Sequence, residues 1–178
     1  VRAAKLEAAF GAGLHDALRY GDPRLAEILG EDIAGALRAA WRLRETEAET
    51  AAWLAARDVD PGLAVRLIRV WGAEAGAHLR RNPYLLVGWI GWTRTDALAR
   101  SLGIAANDPR RLAGAVESAL YERLDAKHTL TPEPALRVAI ARLVGASQAG
   151  AAIGLAVAGG GAARFGHGLQ PVRDAALQ

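Results

Sequence analysis

Leu6, Phe10, Leu14 and Leu18 recur every four residues, as do Ile33, Leu37 and Trp41 and, further on, Leu112, Val116, Leu120 and Leu124. Apolar side chains at that interval line one face of a helix. The runs are repeatedly punctuated, by Gly21-Asp22-Pro23, Leu29-Gly30-Glu31, Asp60-Pro61, Gly72, Asn82-Pro83, Gly103 and Asn107-Asp108-Pro109, all residue types that start or stop helices. A chain written this way folds into many short helices joined by tight turns.

The pattern predicts helices over 6–18, 23–29, 32–41 and 45–56, then one opened by Asp60 and Pro61 that turns Leu63, Leu67, Val70 and Trp71 inward, then a short one over 73–80. Val87-Gly88-Trp89-Ile90-Gly91 reads as a tight connection before a helix over 93–102, and Asp108-Pro109 opens the next. From Pro132 the register changes. Two helices, 133–144 and 147–157, precede Gly159-Gly160-Gly161, after which Ala163-Arg164-Phe165 and Gly168-Leu169-Gln170 suit two short strands around Gly166-His167. This tail resembles a small winged-helix unit, although the glycine run reads equally as a flexible linker. The expected fold is all-α: tandem helix-hairpin-helix repeats followed by a small winged-helix-like C-terminal unit. The expected division is a helical region with a degenerate hairpin at 1–57, a helix-hairpin-helix domain at 58–130 and the winged unit at 131–178.

Composition removes several function classes. The 178 residues contain no Cys, which excludes disulfides, zinc knuckles and thiol catalysis, and leaves a cytoplasmic location as the default. The longest weakly polar run, 149–163, is glycine-rich and shorter than the roughly 18 residues a spanning helix needs, so no membrane association is expected. The start, Val1-Arg2-Ala3-Ala4-Lys5, has neither an initiator Met nor a leader pattern and reads as trimmed. A formal charge of +3 permits nucleic-acid binding without requiring it. His15, His78, His128 and His167 are scattered, with no metal-ligand spacing. There is no Gly-x-x-x-x-Gly-Lys-Ser/Thr loop to cradle a nucleotide phosphate, no nucleophile elbow and no triad, so no catalytic residue is assigned.

Three segments carry a resemblance: Asn82-Pro83-Tyr84-Leu85-Leu86, then Trp89 to Ala99 with Leu102-Gly103-Ile104, then Asp108-Pro109-Arg110-Arg111-Leu112 with Lys127-His128-Thr129-Leu130-Thr131-Pro132. In their order and spacing they resemble the N-terminal helix-hairpin-helix region of a RecD-like ATP-dependent DNA helicase, the exodeoxyribonuclease V alpha-subunit kind. The likeness covers about 59–144, with a worn first hairpin at Ile28 to Ala34. The resemblance implies a module that handles single-stranded or junction DNA without reading its sequence, in repair or recombination. It also implies helicase motor domains elsewhere in the same chain, and ATP and magnesium that serve the motor and not these residues. An alternative reading is a protein-interaction or autoregulatory module that docks on the motor or on a repair partner.

In a hairpin of this kind a Gly-containing turn lets the backbone approach a phosphate, and the following helix aims its unpaired N–H groups and positive end at the anion. The candidate phosphate-binding residues are Gly91, Trp92, Thr93, Arg94 and Thr95, extended by Arg80 and Arg81. The sequence departs from the family pattern where Trp89 replaces the first hairpin glycine, Thr93 a basic residue and Lys127 the glycine before His128. Glu31 and Asp32 would repel a phosphate at the first hairpin. Asp96 reads as a carboxylate bracing the hairpin, and His128 as a turn brace. Trp41, Trp53 and Trp71 read as core, Trp89 and Trp92 as packing residues or platforms for a base or for the motor, and Arg110 and Arg111 as solvated surface.

Overall fold

The computed structural model describes residues 2–172, which divide into two compact units, one up to Gly76 and one from Ala77. The first unit holds α1 (Arg2–Phe10), α2 (Leu14–Tyr20), α3 (Arg24–Leu29), α4 (Glu31–Ala55) and α5 (Leu63–Trp71). Gly21, in the left-handed region at φ 78°, ends α2, and its N–H donates to the Ala17 carbonyl. Ala17, Leu18, Leu25, Leu29 and Ala34 form the buried centre, with Phe10, Leu37 and Trp41 packed against it.

Three expectations change here. The helices expected over 32–41 and 45–56 are one 25-residue helix, because no Gly or Pro between Trp41 and Glu45 breaks it; the Thr46 hydroxyl donates back to the Arg42 carbonyl without interrupting it. Ile33, placed by its spacing on the buried stripe, is 42% exposed. Asp60 accepts from the Gly62 N–H in a turn but does not cap α5, which starts only at Leu63 with Gly62 in the cap position and Pro61 outside it.

The chain then passes through α6 (Ala75–Arg81), which spans the division between the units. The second unit continues with a 3-10 turn (Pro83–Leu86), α7 (Val87–Ser101), α8 (Pro109–Asp125), β1 (Thr131–Pro132), α9 (Glu133–Val144), α10 (Ala146–Ala158), β2 (Ala162–Phe165) and β3 (Gly168–Pro171). Asp108 caps α8 by accepting from the Arg110 N–H, with Pro109 in its first turn. Leu112, Val116 and Leu120 of α8, Leu136 and Ile140 of α9, Ala152 and Ile153 of α10 and Leu169 of β3 share one core. The helices of 77–130 and the tail therefore form one compact body. The observed division falls at 76/77, where the sequence reading put boundaries at 57/58 and 130/131.

The two short strands form as read from the sequence, and β1 joins them in a three-stranded antiparallel sheet of order β1-β3-β2, with Thr131 and Arg164 both opposite Leu169. The mostly helical chain thus carries one small sheet. Gly159 to Gly161 do not serve as a linker: the Gly161 N–H returns to the Ala156 carbonyl and closes α10. Arg137 and Arg164 both hydrogen-bond Glu133 and hold its carboxyl below the usual range, tying the hairpin to α9.

No single helix among the described residues is long and apolar enough to cross a membrane. Helices α9 and α10 pass such a test only as a pair bent by 114°.

Candidate nucleic-acid interface

The turn at Gly91 is a break inside α7. Gly91 has φ 73° and ψ 171°, a conformation open to glycine and strained for other residues, and the helix resumes directly after it. Gly30 between α3 and α4 (φ 86°, ψ 151°) and Gly145 between α9 and α10 (φ 95°, ψ 150°) adopt nearly the same backbone. One device, helix, extended left-handed glycine, helix, therefore recurs at Gly30, Gly91 and Gly145 among the described residues. A Cβ placed on Gly30, Gly91 or Gly145 would meet nothing within 4 Å, so each glycine is required by backbone conformation and not by crowding. The sequence marks a hairpin at the first two turns and, at the third, only a break between two helices, since Val144-Gly145-Ala146 carries none of the flanking residues of the others.

The residues before Gly91 are not the loop expected from the sequence. Pro83–Leu86 is a 3-10 turn and Val87 to Ile90 are helical. Asn82 caps that turn by accepting from the Tyr84 N–H at 3.1 Å, with Pro83 supplying a fixed φ. Trp89 is half-buried.

After Gly91 a new helix starts, and the first N–H groups of a helix lack an acceptor within their own helix. Gly91, Thr93 and Arg94 are exposed on this turn. Trp92 and Thr95 point elsewhere. Trp92 is stacked on Tyr84, ring centroids 5.8 Å apart and planes 29° off parallel, with the Arg111 guanidinium over it at 5.4 Å. It braces the hairpin from inside and offers no free face of the kind a base would stack on. Thr95 is fully buried, so its hydroxyl does not join the exposed donors expected of it. Arg80 and Arg81 are exposed at the end of α6, and the Arg81 carbonyl accepts from Arg110 Nη1 at 2.6 Å, which fastens that end to the start of α8.

Beneath the turn lies a buried polar cluster. Asp96 accepts from the Tyr84 hydroxyl at 2.6 Å and from both Arg111 Nε and Nη2, at 2.8 and 3.1 Å. Arg111 Nη1 also donates to the Ala106 carbonyl at 3.0 Å. The bidentate fork and the hydroxyl give both carboxylate oxygens a donor, two on Oδ1 and one on Oδ2. Burial works to raise the Asp96 pKa, but hydrogen bonds from Arg111 and Tyr84 outweigh it and hold the carboxyl below the usual range. Burial and the Asp96 contact push the Tyr84 hydroxyl well up, and Asp96 keeps Arg111 firmly charged.

Asp96 is thus the hairpin brace its sequence position suggested. Arg111, read as solvated surface, has a side chain only 8% exposed and is the partner that reading missed. Arg110 is the solvated member, half-exposed and chelated by Asp108 at 2.7 Å. No local spacing could have revealed the Asp96 and Arg111 pair, which lie fifteen residues apart on different helices. His128 is exposed, and its backbone N–H closes the end of α8 by donating to the Arg123 carbonyl at 2.9 Å. Lys127, where the family pattern has glycine, sits at φ 66°.

Among the described residues no group of His, Asp and Glu could hold a metal ion.

No curated protein matches the chain. Residues 44–130 match the family described as the ATP-dependent RecD2 DNA helicase HHH domain. The match begins inside α4 and ends just before β1, so it takes in the Gly91 turn, the Asn82-Pro83-Tyr84 cap and the Asp96–Arg111 pair. Over residues 44–130 the chain carries a helix-hairpin-helix region of the RecD-like helicase family.

Proposed function

We propose that this chain is a non-catalytic DNA-binding module of a RecD-like helicase, contacting the sugar-phosphate backbone without sequence readout during repair or recombination. The observation that carries the reading is Gly91: its extended left-handed backbone reopens a helix whose first N–H groups lie beside exposed Thr93 and Arg94. Such an N-terminus attracts an anion through oriented amides and the helix dipole, and an oxygen of a phosphodiester satisfies both. Nothing in this geometry aims an Asn or Gln at a base edge, which fits backbone contact. ATP hydrolysis, with its magnesium, belongs in this reading to motor domains outside these residues, and the work is cytoplasmic.

The three glycine turns and the order α8, β1, α9, α10, β2, β3 support reading the chain as repeated helix-hairpin-helix units ending in a winged-helix-like unit. The turns are not equivalent as anion sites. Glu31 and Asp32 fill the first turn of α4 and repel phosphate there, while the turn at Gly91 is followed by Thr93 and Arg94.

Fluorescence anisotropy with labelled single-stranded and junction DNA at low salt tests the reading. Gly91→Val should weaken binding about tenfold or more by closing the backbone approach. Arg94→Ala should lower the log-log salt slope by about 1. Absence of binding, or binding indifferent to both changes, rejects the assignment.

One observation favours protein docking at the C-terminal end. Helix α10, the counterpart of a recognition helix in a winged unit, carries no charged side chain and exposes Leu155. Side-chain contact with phosphates along that helix needs cations; contact with a motor lobe does not. Association of the chain with the motor lobes, lost on Leu155→Asp, is the expected result. No association at high micromolar concentration ends this second reading.

A further inference from the structure

The N-terminal unit contains a second arrangement suited to a nucleotide, built from residues that precede the matched segment. Tyr20, at the end of α2, is 77% exposed, the largest exposure among the large apolar side chains of the described residues. It lines an open groove with Phe10, Gly21 and Arg24. The Arg24 guanidinium lies over the Phe10 ring at 4.7 Å, and that of Arg19 lies 6.0 Å from the Tyr20 centroid.

Gly21, beside Tyr20, is where the Arg38 side chain rests: a Cβ on Gly21 would run into its guanidinium. Arg38 is half-buried, its Nε is shut off from solvent without an acceptor, and among the described residues it has neither an ion-pair nor a hydrogen-bond partner. A partly desolvated guanidinium left unpaired is a standing demand for an anion.

The acids nearby are already engaged. Asp22 is held by Arg24 at 2.6 Å, Glu45 by His15 and Arg19 at 3.4 and 3.6 Å, and Asp16 faces His15 at 3.5 Å. Arg38 is therefore the cation of this cluster that is left for an outside ligand. An exposed ring one residue from the glycine on which an unpaired planar fork rests offers the two contacts a nucleotide takes, the base on the aromatic face and the phosphate on the guanidinium.

We propose that Tyr20 and Arg38 form a second contact for single-stranded nucleic acid, independent of the Gly91 turn, with one base stacked on Tyr20 and its phosphate on Arg38. The site tolerates any base, since every base has a π-face.

The test uses the whole chain and an oligothymidylate carrying 5-iododeoxyuridine. Irradiation should cross-link the strand to the peptide containing Tyr20, and Arg38→Gln should abolish that adduct. In anisotropy, Tyr20→Ala should weaken oligothymidylate binding roughly five- to twentyfold, and leave unchanged the binding of an abasic strand of equal length. Arg38→Gln should weaken both strands and lower the salt slope by about 1, with Arg38→Lys restoring part of the affinity but not the full fork contact. Tyr20 is exposed enough that its removal should leave the circular dichroism spectrum unaltered.

No adduct at Tyr20, or equal loss on the abasic strand, overturns the proposal. So does displacement of the oligonucleotide by an equal charge of polyglutamate, which would make this an acidic-peptide site. The Gly91→Val variant, cross-linked at protein concentrations that saturate the strand, separates the two readings: a persisting Tyr20 adduct with unchanged affinity rejects the Gly91 turn alone, and a missing adduct at saturation with weakened affinity rejects Tyr20 and Arg38 alone.

Discussion

Replacing Asp96 by Asn keeps the shape of the side chain and removes its charge, isolating what the carboxylate does for the hairpin. The Arg111 side chain is 8% exposed and that of Asp96 14%, so neither can turn to water for compensation. Asn can still accept from Tyr84 and Arg111 Nε through one oxygen, but its amide nitrogen then faces Arg111 Nη2, where a carboxylate oxygen accepted at 3.1 Å. Removing one member of a buried ion pair costs about 3–5 kcal/mol, and the retained acceptor puts Asp96→Asn near the lower end, about 3 kcal/mol. For a unit of about 100 residues that lowers the Tm by roughly 12–20 °C.

Urea unfolding followed by tryptophan fluorescence reads the loss directly, because Trp92 is stacked on the cluster. Tyr84→Phe, which removes one hydrogen bond and leaves the ion pair, should cost only about 1 kcal/mol. Asp96→Leu combined with Arg111→Met should recover much of the loss, since apolar packing commonly replaces a buried pair at little cost. A cost below about 0.5 kcal/mol for Asp96→Asn, the level of an ordinary surface change, would refute the idea that this carboxylate holds the hairpin together.

The same cluster sets an acid limit. The folded Asp96 carboxyl lies below its unfolded value, so its contribution is complete above the ordinary carboxylate pKa of about 3.9 and is lost as pH falls through the lower folded value. The stability gap between wild type and Asp96→Asn should therefore shrink in urea titrations below about pH 4. Gly91→Ala should cost about 1–3 kcal/mol in thermal melts although its Cβ has open space, because the penalty is conformational. Gly114→Ala should cost a similar 1–3 kcal/mol for the opposite reason, its Cβ falling 2.8 Å from the Tyr84 ring on a backbone that is ordinary helix. Lys127→Gly, relieving φ 66° beyond the end of α8, should raise stability by about 1 kcal/mol in the same assay.

Helix positions were written in the chain itself: four-residue apolar spacing and the stops at Gly21, Gly72, Asn82-Pro83 and Asp108-Pro109 act within a turn or two, a range that sequence exposes. Gly91 and Asp96 were legible for the same reason, each being tied to a hairpin motif of adjacent residues. Where a break signal was only inferred, between Trp41 and Glu45, the helix ran on, since charged and polar residues alone do not interrupt one.

Tertiary structure decided what depends on residues far apart in the chain. It buried Arg111 against Asp96, turned Trp92 onto Tyr84 and left Gly114 as the gap into which Tyr84 fits. It likewise joined the tail to α8 through one core, moving the boundary between units to 76/77. Local periodicity fixes which face of a helix is apolar. Which other helix that face meets, and which charge is thereby taken out of water, is set only when the helices pack.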